Sequence, residues 1–244
     1  MDILYVVGTG SKWCNNELKY SLRSIAKYGK NVGNVVLVGY KPHFVNEENV
    51  IYIPCEDIGN KKHERILNKI LTAAKSGKLS DHFLISSDDH FYIKETDFDQ
   101  LPVYYKKEEM VGSERKSYTR SILQTKKFLQ DNGLTIYQTN PHCNTHFDIN
   151  IYNKYKELFD KGVTLPDSVE SNCLMGNLLI KEGWEPQYYR DVKVGRFKNR
   201  KELLEKIGDS ECFSIYDHAV NYGVGDYLKE LFPKRCKYEK PLII

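Results

Sequence analysis

The residues best suited to chemistry lie in "FLISSDDHFYI", Phe83 to Ile93, where Asp88, Asp89 and His90 interrupt two apolar runs. Adjacent carboxylates are costly to desolvate without a positive partner. At the end of a core strand they therefore read as a cation site, or as a turn whose polar residues face water. Magnesium and manganese take oxygen ligands, and manganese also accepts imidazole. Alternation in an extended segment puts Asp88 and His90 on one side and Asp89 on the other. A second dense titratable group, His142, His146 and Asp148, occurs in "NPHCNTHFDINIY". A third feature, "GTGSKW", has neither the third glycine of G-x-G-x-x-G nor the Gly-Lys-Ser/Thr ending of a P-loop. Gly8, Thr9 and Gly10 are then either a loop that lets a ligand approach the backbone or a plain strand-to-helix turn.

Several elements must position these residues. "ILYVV" (3–7), "VVLVG" (35–39), "VIYIP" (50–54) and "HFLIS" (82–86) are short apolar runs that predict buried strands. "NNELKYSLRSIAKYG" (15–29) predicts a helix with Leu18, Leu22 and Ile25 on one face, capped by Asn15 or Asn16 and ended by Gly29. "HERILNKILTAAKSG" (63–77) predicts another, with Leu67, Ile70, Leu71 and Ala74 inward. Strands alternating with amphipathic helices imply a mostly parallel sheet covered on both faces, an α/β fold. Ligands gather beyond the carboxyl ends of such strands, where "GTGS" and "SSDDH" both fall. Helices are expected over 117–133, within 135–162 after a strand or loop, over 171–183, and over 224–233 up to Pro233. No linker separates the halves, so a single continuous domain is expected.

Composition narrows the function. The 244 residues are 41% hydrophobic and 28% charged with a net charge of +3, which gives no warrant for a dedicated nucleic-acid surface. Six cysteines without a C-x-x-C pair argue against a zinc knuckle or redox motif and predict reduced thiols. No apolar run reaches membrane-span length and no leader pattern opens the chain, so the expected location is cytoplasmic, at most peripheral to a membrane.

The order strand, loop, helix, strand, strand, helix, strand, then "SSDDH" resembles the nucleotide-sugar-binding half of GT-A glycosyltransferases, over residues 1–105. Ser86 stands where that family usually carries an additional Asp, so the motif is similar to its D-x-H variant. "HFDINIYNKYKELFD", "SVESNCLMGN" and "CFSIYDHAVNYGVGDYLKELFPKRCKYE" resemble segments of Stealth-type sugar transferases, which use nucleotide sugars and transfer a sugar phosphate. Cys236 and "IYDH" depart from the usual Stealth residues. The GT-A resemblance implies a mixed, mostly parallel sheet flanked by helices, with 1–105 binding the nucleotide sugar and 106–244 forming the acceptor half.

It also implies roles. Asp88, His90 and His218 would hold Mn2+ or Mg2+, with His218 alternatively a hydrogen-bonded surface residue. Gly8, Thr9, Gly10, Arg65, Asn68 and Asp89 would contact the donor, while Lys69 reads as a solvated helix charge. Asp148 would act as base on the acceptor hydroxyl with His146 orienting it, or else would cap the helix that begins near Asn150. Lys193, Arg196, Lys198, Arg200 and Lys201 would close over a diphosphate, face water or track a polyanion. The implied activity is metal-dependent transfer of a sugar, a UDP-sugar favoured as donor, to a hydroxyl acceptor. That acceptor is a glycan (favoured), a lipid-linked intermediate, a protein or a modified DNA base. Sugar-phosphate transfer of the Stealth kind and a non-catalytic nucleotide- or glycan-binding module are the alternatives.

Overall fold

In the computed structural model, which describes residues 1–241, β1 (Ile3–Val7) leads through a loop into α1 (Asn16–Tyr28) and the two-residue β2 (Gly29–Lys30). β3 (Val35–Gly39), β4 (Ile51–Ile53), α2 (Lys62–Lys75) and β5 (His82–Ser86) follow. Short strands β6 (Phe91–Tyr92), β7 (Thr96–Asp97) and β8 (Val103–Tyr105) then lead to α3 (Ser117–Asp131). β9 (Thr145–Asp148) runs directly into α4 (Ile149–Lys154), α5 (Lys156–Thr164) and α6 (Ser171–Lys181). Last come β10 (Pro186–Tyr188), β11 (Lys193–Val194), α7 (Arg200–Ile207), β12 (Cys212–Ile215) and α8 (Val224–Leu231). These bounds fall within two residues of the sequence expectation for the four strands and two helices expected in the first half, whereas the short β2, β6, β7 and β8 have no counterpart in it.

The main sheet has the order β4-β3-β1-β5-β9, parallel throughout except for β9, which pairs antiparallel with β5. Both faces are covered, which is why its strands read as continuous apolar runs. Ile3, Tyr5 and Val7 of β1 pack toward Leu18, Leu22 and Ile25 of α1. Leu4, on the alternate face, packs toward α2 in the cluster that holds Leu67 and Ile70 and extends to Leu174 and Leu178 of α6. A third apolar cluster joins Phe91, Phe213, Leu203 and Leu228, and so fastens the C-terminal segments to β6, which pairs with β12 in a separate three-stranded sheet. The chain is one continuous mixed α/β domain, and β9 from the second half extends the sheet built by the first. Among the described residues no helix is long and apolar enough to cross a membrane.

The entry to α1 differs from expectation. Asn15 occupies the cap position with φ +57° and makes no side-chain cap. Instead Ser11 Oγ accepts from the backbone N–H groups of Trp13 (3.2 Å) and Asn15 (2.7 Å), and so holds the glycine loop together.

Candidate functional site

β5 ends at Ser86, and Ser87–His90 forms a turn closed by the His90 N–H donating to the Ser87 carbonyl at 3.4 Å. Asp88 and Asp89 are its two central residues. A turn does not alternate its side chains as a strand does, and the three groups fan apart. Asp88 borders a cavity of about 380 Å³ that also touches Gly8, Gly10, Glu17 and Lys62. His90 borders a different cavity, of about 710 Å³. Asp89 lies on the border of both, and of a third cavity of about 470 Å³ that holds His218. The expected Asp88–His90–His218 centre is therefore not assembled. Among the described residues no three His, Cys, Asp or Glu side chains gather as a metal-holding group.

The electrostatics of the turn are strained in a way a cation would relieve. Burial, then the charges of Asp89 and Glu17, push the Asp88 carboxyl up to about 7. Glu17 Oε2 is itself buried without a hydrogen-bond partner. Asp89 Oδ2 is 3.3 Å from Lys193 Nζ, which brings the first residue of the basic run into the site. His90 is buried, and burial lowers its imidazole to about 4, against the opposite pull of Asp89. It is therefore a neutral ring near pH 7.

The glycine loop and α2 supply the opposite wall. Gly8 and Gly10 border the Asp88 cavity, while Thr9 borders a separate cavity of about 480 Å³ at the ends of β1, β3 and β4. A Cβ at Gly8 or Gly10 would meet no atom within 4 Å, so the loop does not require glycine for space. Arg65 and Asn68 do not line these cavities. Asn68 Nδ2 donates to the Ile58 carbonyl at 3.0 Å, and Arg65 Nε is buried without a partner. The face of α2 that meets the ligand spaces is Lys62, Ile66 and Lys69. Lys69 is not solvated as the sequence suggests. It is buried, donating to the Val7 carbonyl at 3.0 Å and pairing with Asp57 at 2.7 Å.

Asp148 and His146 lie away from these cavities. Asp148 Oδ1 accepts from the backbone N–H groups of Asn150 (2.8 Å) and Ile151 (3.0 Å), so it caps α4. His146 is buried in β9, with Nε2 2.9 Å from the Leu101 carbonyl and Nδ1 3.0 Å from His82 Nε2. Burial lowers its imidazole to about 4. Neither residue lines the large cavities. The neighbouring His142 does: its Nδ1 lies 3.0 and 2.9 Å from the two carboxylate oxygens of Asp191, and its backbone N–H donates to Asp191 at 2.6 Å. Burial opposes the charge of Asp191, but the His142 hydrogen bonds and Lys106, 3.5 Å away, outweigh it and hold the carboxyl down to about 2. Asp191 and Lys106 carry no sequence signal, since nothing in spacing links position 142 to position 191. Glu170, on the same cavity, is buried at the start of α6, where it accepts from Asn140 and from Cys173 Sγ.

No protein-family model matches the chain, and no curated protein matches it. Among solved structures, a galactosyltransferase, LgtC, in complex with donor and acceptor sugar analogues is similar over 96% of this chain and 96% of its own, at 9% identity and a TM-score of 0.48. An active-site mutant of LgtC is similar over 95% of both chains, at 11% identity and a TM-score of 0.48.

Proposed function

We propose that the protein transfers a sugar from a nucleotide donor, a UDP-sugar favoured, to a hydroxyl group of an acceptor, a glycan favoured. The observation that carries this reading is the position of Asp89. It stands at the carboxyl edge of a parallel sheet and borders three adjoining cavities at once, so a group in each would meet beside one carboxylate. Two substrates joined at one carbon need such a meeting point.

On this reading the first half, residues 1–105, supplies most of the donor site. The nucleoside lies at the ends of β1, β3 and β4 by Thr9, Tyr40 and Tyr52, and the diphosphate lies by Gly8, Gly10, Lys12, Lys62 and Lys193. Residues 106–244 supply most of the acceptor side, around His142, Asn140 and Asn172. A magnesium or manganese ion fits the donor side. The orphaned Glu17 oxygen and the raised Asp88 carboxyl are oxygen donors that the neighbouring lysines leave uncompensated. Asp88 and Asp89 would hold the ion together with donor phosphate oxygens, because magnesium sites on nucleotides commonly use only one or two carboxylates. When bound, the ion neutralises charge developing on the departing diphosphate. Lys62 and Lys193 act on the same charge from the protein, and the buried, neutral His90 closes the floor behind the turn.

The test is a melting screen of nucleotide sugars with and without manganese, since a ligand that binds only the folded chain raises Tm by mass action. A UDP-sugar should raise Tm in the presence of manganese, and Asp88→Ala should abolish the manganese-dependent part with the fold intact. Absence of any shift across UDP-, GDP-, CMP- and dTDP-linked sugars would sink the reading.

A further inference from the structure

We propose that His142, oriented by Asp191, takes the proton from the acceptor hydroxyl, and that the cavity around it receives a polyhydroxyl acceptor; this rests on the sugar-transfer reading above. Two contacts fix the ring. Asp191 accepts from the His142 backbone N–H at 2.6 Å and brackets Nδ1 at 2.9 and 3.0 Å. A carboxylate at Nδ1 places the proton there and leaves the Nε2 lone pair available. No protein group hydrogen-bonds Nε2 among the described residues, and the side chain is 26% exposed on the wall of the cavity of about 710 Å³. The Asp191 carboxyl, held down to about 2, stays ionised over the whole working range and would stabilise the imidazolium formed.

The surroundings point to hydroxyl groups as the ligand. Three oxygens on the same cavity wall, Thr145 Oγ1, Asn140 Oδ1 and Asn172 Oδ1, are buried with no hydrogen-bond partner, and Thr145 is only 8% exposed. Leaving such atoms unpaired is costly, and a rotation of these side chains toward the cavity would pair them with the hydroxyls of a sugar. Charged and titratable groups line the same cavity on several sides. Lys106 acts through Asp191, His90 comes from the turn, Asp89 with Lys193 lies on the donor side, and Glu170 and Lys116 face across the cavity.

In the step itself, the acceptor oxygen forms a bond to the anomeric carbon as the bond from that carbon to the phosphate oxygen breaks. The bonding pair leaves with the nucleoside diphosphate, and the acceptor proton passes to His142 Nε2. His142 later releases it to solvent through the open cavity mouth. His142 is thus a catalytic residue, and Asp191 positions it.

Water can stand in for the unidentified acceptor. The full chain is incubated with manganese and UDP-glucose, UDP-galactose or UDP-N-acetylglucosamine from pH 5 to 9, with donor binding followed by calorimetry and UDP release measured separately. His142→Gln should bind donor within threefold of wild type yet release UDP at least about 100-fold more slowly, the usual scale of a lost general base. Added imidazole should restore part of the rate to His142→Ala, and Asp191→Asn should move the acidic limb of the pH profile to lower pH. Release by His142→Gln within threefold of wild type, with an unchanged pH profile, overturns the inference. So does donor that binds wild type but is not hydrolysed at any pH. If no donor binds, the sugar-transfer reading fails and takes this inference with it. If His142→Gln does not fold, imidazole rescue of His142→Ala and the Asp191→Asn profile decide.

Discussion

Asp88→Asn should make the cation-free protein more stable, and only above neutral pH. Displacement of the Asp88 carboxyl from 3.8 to about 7, at 1.36 kcal/mol per pH unit, makes its ionisation in the folded chain unfavourable by about 4 kcal/mol. The sign follows from linkage. The folded state keeps this proton to higher pH than the unfolded state does. Stability is therefore full below pH ~4, declines as pH rises toward ~7, and stays low above that. Asparagine keeps the size and removes the charge. At pH 8 in EDTA, Asp88→Asn should therefore gain roughly 2–4 kcal/mol, the lower figure allowing for partial solvation of the turn. For a chain of this size that is a rise in Tm of roughly 5–15 °C, whereas at pH 4.5 the two proteins should melt within a few degrees of each other. Manganese or magnesium should then raise the wild-type Tm at pH 8 and leave Asp88→Asn unmoved. A difference in Tm that is the same at pH 4.5 and pH 8, or a wild type more stable at pH 8, would refute the reasoning: Asp88 would then be well solvated and a poor cation ligand.

Three further outcomes test the placement of other groups. Asp148→Ala should lower Tm by about 2–4 °C through loss of about 1 kcal/mol of helix capping, with UDP release per folded molecule unchanged; a loss above 100-fold at constant Tm would return the base role to Asp148. Arg23 grips Glu239 with Nε and Nη2 at 2.7 and 2.8 Å, both side chains largely buried. Arg23→Ala strands that carboxylate and should cost about 3–5 kcal/mol in urea unfolding, so a cost under about 1 kcal/mol would mean that Glu239 reaches water. At Gly176 a Cβ would stand 2.2 Å from Thr139 Oγ1 and 2.5 Å from Thr139 Cβ. Gly176→Ala should therefore destabilise by about 1–3 kcal/mol and loosen the segment carrying Asn140 and His142, read as lower Tm together with faster amide exchange over residues 138–145.

The frame of the molecule was legible because it is written in period. Ile3–Val7 and Val35–Gly39 are buried on both faces, and Leu18, Leu22 and Ile25 repeat at helical spacing. Any sequence carrying those runs must bury them in much the same way. The site was legible only in kind, because its details turn on rotations that period does not encode. On α2 each residue advances the helix by about 100°. Arg65 and Asn68 stand a single residue step from Ile66 and Lys69, which line the cavities, and that step is settled only by how the helix packs on β1 and β3. At Asp148 the same carboxylate suits a cap or a base, and two backbone N–H groups within 3.0 Å decide for the cap.

The turn at Ser87–His90 shows the same limit most sharply. Extended, it would have pointed Asp88 and His90 together and built one metal centre from neighbours in sequence. Turned, it sends Asp88 and His90 to two different spaces and leaves Asp89, with its partner Lys193, on the border of all three. The partners that complete each space then come from far along the chain, Glu17 beside Asp88 and Lys193 beside Asp89. His142 finds its carboxylate 49 residues away. Such pairings exist only once β9 has docked against β5 and the C-terminal strands against β6, so the folded sheet, and no local motif, makes the site.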